Sequence, residues 1–132
     1  MKNDTLLWLK YADENLKSSK ILAESGLFNP SLQNVQQAVE KALKALITEN
    51  SIHLIKTNSI GELKNVLFNQ KIDCGLSNED CEFLDSVYLP TKYPVSSVLP
   101  YFEPDWEICN SGIEIAERIF YNVKGQVDRP QK

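Results

Sequence analysis

Within the run SLQNVQQAVEKALKALITEN, Gln37, Glu40, Lys41 and Lys44 recur at helical spacing and set amide, carboxylate and ammonium groups along one stripe. Two further basic pairs follow downstream, Lys56 with Thr57 and Lys92 with Tyr93. If the segments that carry them fold over the stripe, ammonium groups, amides and a phenol converge on something anionic and flat, such as a nucleotide or an RNA phosphate. The competing reading is a solvated helix face on which Glu40 and Lys44 form an i,i+4 pair contributing about 0.2–0.5 kcal/mol. Spacing alone favours the second reading.

Other chemistries find little to work with. His53 is the sole imidazole and lies in a polar stretch, and no Gly-x-Ser-x-Gly elbow is present. The five glycines are scattered and build no phosphate-binding loop. No pair of carboxylates at helical spacing on an apolar face suggests a tuned acid and base. Cys74, Cys81 and Cys109 are an odd set without zinc-site spacing, so they read as small structural side chains, with no metal and no cofactor expected. A net charge of −4 and a pI near 5.0 argue against a broad nucleic-acid surface, although a local basic patch is compatible with them.

The stripe needs a helix to hold it. Leu32, Val35, Val39, Leu43 and Leu46 form an apolar ridge over Ser31–Asn50, flanked by Ala38, Ala42 and Ala45, with Pro30 at the start and Ser31 as cap. Before it, Asn3 and Asp4 cap a helix to about Ser25, with Leu9, Ala12, Leu16 and Ala23 inward and Trp8, Ile21 and Leu22 widening the buried side. Trp8 and Tyr11 read as packing anchors. Gly26 stops this helix, and the short connection makes the pair antiparallel. SIHLIKTN is an ordered loop; Ser59 with Glu62 opens a third helix, and Ser77 with Asp80 opens a short fourth more weakly.

Pro90, Pro94, Pro100 and Pro104 make residues 88–104 a stretch through which no helix is expected to run, yet its aromatic and aliphatic content implies an ordered crossover. A last helix over about 105–124 carries Trp106, Cys109, Ile113, Ala116, Phe120 and Val123 on one row and Ile108, Ile115 and Ile119 on another. The second row predicts either a helix sandwiched between others or a dimer contact. The fold class is therefore all-α, an up-and-down bundle of four main helices plus one short helix, over residues 1–124, with a flexible tail at 125–132. No apolar run is long enough to span a bilayer, and Asp4, Lys10 and Asp13 break up any secretory signal, so a cytoplasmic protein is expected.

The run QQAVEKALKALI, preceded by WLKYADENLKSSKILAESGLF and followed by KTNSIGEL and then PTKYP, resembles the HEPN domain family of prokaryotes from about Leu6 to Tyr121. The resemblance implies a commonly dimeric bundle that is often paired with a minimal nucleotidyltransferase in toxin–antitoxin or defence modules. Many members are ribonucleases that use an Arg followed a few residues later by a His. Here Arg118 and Arg129 both follow His53, so that order is missing.

The chain is more similar to the branch with Tyr-Pro in the crossover, for which nucleotide binding is implied. In that branch the loop commonly reads Thr-His-Asp and the crossover Arg-Tyr-Pro. Here Thr57 is kept, Asn58 and Ser59 replace the next two positions, Lys92 stands for Arg, and Asn15 stands where Asp is frequent. Gln37, Glu40, Lys41, Lys44, Tyr93 and Pro94 match. The expected function is a non-catalytic, homodimeric binding module that partners a minimal nucleotidyltransferase and binds nucleotide through Gln37, Glu40, Lys41, Lys44, Lys56, Thr57, Lys92 and Tyr93. The alternative is an RNA-binding protein or ribonuclease in which Lys41, Lys92, His53 or Tyr93 takes the missing roles.

Overall fold

The computed structural model describes residues 1–57, 59–92 and 103–128, with the backbone alone at 90–92. These residues form five helices and no strand: α1 Asn3–Glu24, α2 Phe28–Glu49, α3 Ile60–Asn69, α4 Asn78–Lys92 and α5 Trp106–Val127. Helix α2 is central and packs against all four others. Its ridge of Leu32, Val35, Val39, Leu43 and Leu46 is wholly buried, as are Ala38, Ala42 and Ala45. The small side chains let α1 come close, and bonds from Lys2 to Glu49, Asn15 to Gln37 and Ser31 to Ser19 show the two running antiparallel. On another side of α2, a Cβ on Gly112 of α5 would stand 3.3 Å from Val35, so glycine permits that approach.

Several boundaries differ from those expected. Helix α2 begins at Phe28, which places Pro30 in the first turn, where its missing N–H has no intrahelical acceptor to lose. Ser31 is not the cap; it is fully buried, and its hydroxyl donates to the Ser19 carbonyl at 2.7 Å. Asn3 and Asp4 lie inside α1, whose start is held instead by Glu49, which accepts from the Lys2 N–H and the Thr5 hydroxyl at 3.0 Å each.

Helix α4 is longer than expected and runs through Pro90 to Lys92, leaving α3 as the short helix. A proline late in a helix removes one hydrogen bond and crowds the preceding turn without ending the helix at once. The remainder of the expected crossover, 93–102, lies outside the described residues. Helix α5 continues past Gly125 to Val127 because Val127 is buried and Gln126 Nε2 donates to the Asp73 carbonyl at 2.8 Å.

The second row of α5 does not face outward. Ile119 is fully buried, and Ile108 and Ile115 pack partly buried against the core, so the row serves the bundle, as a helix sandwiched between others requires. Trp106 and Ile21, expected inside, are exposed.

Helices α1, α2 and α3 end in the same way. In each, two amides past the C-cap return to the last turn: Gly26 to Ala23 and Leu27 to Leu22, Ser51 to Thr48 and Ile52 to Ile47, Lys71 to Phe68 and Ile72 to Leu67, all at 2.8–3.1 Å. This is the Schellman arrangement, which needs a left-handed residue at its corner. The corner residues are Gly26 at φ +75°, Ser51 at φ +57° and Lys71 at φ +60°.

Candidate functional site

Trp8, Tyr11 and Asn15 follow one another up a single face of α1 and meet Asn34, Gln37, Lys41 and Lys44, which do the same on α2. Asn15 sits at the centre of the seam. Its Nδ2 donates to Asn34 Oδ1 at 3.0 Å and to Gln37 Oε1 at 3.4 Å, while its Oδ1 accepts from Lys41 Nζ at 2.9 Å. One turn on, Lys44 Nζ is 2.8 Å from Glu40 Oε1, with side chains only 13% and 12% exposed. Lys44 Nζ also lies 5.4 Å from the centre of the Trp8 ring, and Lys41 Nζ lies 5.9 Å from that of Tyr11.

The charges in this seam do not balance. Lys44 is neutralised by Glu40, but Lys41 is met among the described residues only by neutral groups, the Asn15 carbonyl and the Tyr11 ring. One uncompensated positive charge therefore stands beside a row of amides. One turn before Glu40, Gln36 is 3% exposed, and its Oε1 has no partner among the described residues. A buried acceptor of this kind calls for a donor, from water or from a ligand.

The expected face is thus enclosed on its α1 side and is not a solvated stripe. Gln37, Glu40, Lys41 and Lys44 come together as read. Lys56 is exposed on the connection to α3, and Thr57 turns its hydroxyl to accept the Ser59 N–H at 3.0 Å ahead of that helix. The Lys92 side chain and the whole of Tyr93 lie outside the described residues. Trp8 and Tyr11 present ring faces to lysines as well as packing, and both line a groove of about 690 Å³ that His53 shares with Asp4 and Ser51. Asn34 escaped the sequence reading altogether; its spacing of three and seven residues from Gln37 and Lys41 was the available signal.

Burial pushes the thiols of Cys74, Cys81 and Cys109 above their ordinary range, in keeping with structural roles. Arg118 is committed elsewhere, to Asp80 Oδ2 at 2.9 Å and the Gly75 carbonyl at 2.7 Å. Among the described residues no cluster of His, Cys, Asp and Glu could hold a metal ion, and no helix is long and apolar enough to cross a membrane.

Residues 5–126 match the HEPN domain. The chain is 29% identical over 106 residues to the protein named "Putative toxin MJ1304" of Methanocaldococcus jannaschii, covering 76% of this chain and 67% of that one. The crystal structure of ST0689, an archaeal HEPN homologue, superposes with a TM-score of 0.70 at 27% identity, covering 97% of this chain and 100% of that one. TT1696 from Thermus thermophilus shares the fold, with a TM-score of 0.76 at 23% identity over 95% of this chain and 99% of that one.

Proposed function

The chain belongs to the HEPN domain family, and from that premise we propose that it is the binding module of a two-component, toxin–antitoxin-type system, partnered by a minimal nucleotidyltransferase and able to hold a nucleotide at the α1–α2 seam. Similarity to a protein named as a toxin supports the two-component role. The observation that carries the nucleotide is Lys41, a cation whose described partners are all neutral, set beside the amides of Asn15, Asn34 and Gln37. A phosphate supplies the charge that Lys41 lacks, the amides offer donors and acceptors to its oxygens and to a base edge, and the Tyr11 ring, 42% exposed, offers a face for stacking. The exposed Leu6, Leu7 and Ile21 of α1 are the apolar side chains that support a homodimer in this reading.

Isothermal titration with ATP, GTP, CTP and UTP tests the nucleotide. We expect a Kd in the micromolar range for at least one of them, weakened about tenfold by Lys41→Ala, as loss of a charge-assisted contact implies. Absence of heat with all four removes the ligand from the reading. Co-purification with a nucleotidyltransferase encoded beside the gene tests the partner, and light scattering tests the dimer.

A further inference from the structure

Helix α3 turns Leu63 and Leu67 into the core, whereas Phe68, next in the chain, is 73% exposed and has no ring contact among the described residues. No other large apolar side chain among them is as open to water. Phe68 stands on the wall of a groove of about 900 Å³ that runs along α3 and the turn into α4, apart from the seam. Behind it, Ile72, Cys74 and Leu76 give the groove an apolar floor. Asparagines and two lysines make up the rim.

The charge of that rim is not met from within. Lys64 Nζ donates to Asn78 Oδ1 at 2.8 Å, a neutral partner, and no described group pairs with Lys71. Asp73, the one carboxylate of the lining, has Oδ1 turned to the Gly75 N–H at 2.8 Å. A chain of net charge −4 therefore keeps a basic rim around its most exposed aromatic ring. An apolar centre with one projecting ring, bordered by polar and charged side chains, is how the energetic centre of a protein interface is built.

We infer that this groove is the face through which the chain meets its protein partner, an acidic surface that packs an apolar side chain beside Phe68 and sets carboxylates against Lys64 and Lys71. The inference rests on the two-component reading above and adds to it the face and the chemistry of the contact. A second copy of the chain fits this groove poorly, because a two-fold contact would bring two basic rims together. A nucleic acid would find two cations on a chain of net negative charge, and its phosphates gain nothing from an apolar floor.

Co-expression with the nucleotidyltransferase encoded beside the gene, followed by biolayer interferometry on the purified pair, tests this. Phe68→Ala should raise Kd about thirtyfold, mostly through faster dissociation. Its Tm should be unchanged, since the ring already stands in water. Lys64→Glu combined with Lys71→Glu should slow association about tenfold at low salt, a difference that shrinks as salt rises. Lys10→Glu, on the exposed side of α1, should change neither rate. If the parent chain retains no such partner, the two-component reading falls and this inference with it. If the parent retains the partner and Phe68→Ala holds it equally well, only the face is wrong. A lysine double variant that associates as fast as the parent overturns the acidic partner. Loss of a dimer on Phe68→Ala in light scattering would give the groove to a second copy instead, and binding of an oligouridylate that Phe68→Ala abolishes would give it to nucleic acid.

Discussion

In the α1–α2 seam both lysines end inside the fold, Lys44 on Glu40 and the Trp8 face, Lys41 on Asn15 and the Tyr11 face. Along α3 the same residue types are turned the other way: Phe68 is bare, Lys71 is unpaired among the described residues, and Lys64 reaches only an asparagine. A lysine drawn out of water must be met by a carboxylate, an amide or a ring, and each such partner fixes α1 against α2. A lysine left in water needs none of these and fixes nothing. Enclosure therefore separates cations that hold the bundle together from cations free to meet something else, and in the seam Lys41, enclosed but not neutralised, stands between the two.

Breaking the enclosed pair is the most severe test of that contrast. Glu40→Ala leaves the Lys44 ammonium with its side chain 13% exposed and no carboxylate, which should destabilise the fold by about 3 kcal/mol in urea denaturation. A loss below about 1 kcal/mol would place the pair among ordinary surface ion pairs, and the two regions would no longer differ in kind.

Asp80 joins the groove side to α5 and gives the contrast a pH dependence. Burial alone would raise its carboxyl, but the Ser77 N–H and the Arg118 guanidinium outweigh this and hold it below its ordinary 3.8. A depressed carboxylate contributes stability that is fully present above the unfolded value and is lost as pH falls through the lower folded one. An NMR titration should therefore find the Asp80 midpoint below 3.8, and Arg118→Ala should move it upward. Stability of variant and parent should differ near neutrality and converge in acid. A midpoint unmoved by Arg118→Ala would leave the Ser77–Asp80 capping box as the whole cause, and the groove wall would not depend on α5.

The long-range pattern was legible because periodicity reports which residues face the core. The ridge of α2 and Leu9, Ala12, Leu16 and Ala23 of α1 are buried as read, and Gln37, Glu40, Lys41 and Lys44 were found together. What periodicity does not report is which neighbour covers a polar stripe. The stripe looked solvated because the partners that enclose it, Asn15, Trp8 and Tyr11, lie on another helix. Some helix ends were misread for a local reason: Ser31, Pro90 and Gly125 have strong average preferences, and here tertiary contacts or a tolerant late-helix position overrode each of them. Lys71 was invisible in principle, since a lysine carries no signal for a left-handed backbone.

The three matching helix ends allow the finest version of the contrast. Ser51→Gly removes left-handed strain of about 1 kcal/mol and also the hydroxyl that accepts from Lys2, an interaction of similar size. Its net effect on stability should lie within about 0.5 kcal/mol of zero. Lys71→Gly removes the same strain and forfeits only the attraction of a cation to the α3 C-terminus, about 0.3–1 kcal/mol. Melted in parallel, the lysine variant should gain slightly more than the serine variant. If Ser51→Gly gains as much or more, the Lys2 contact offsets nothing.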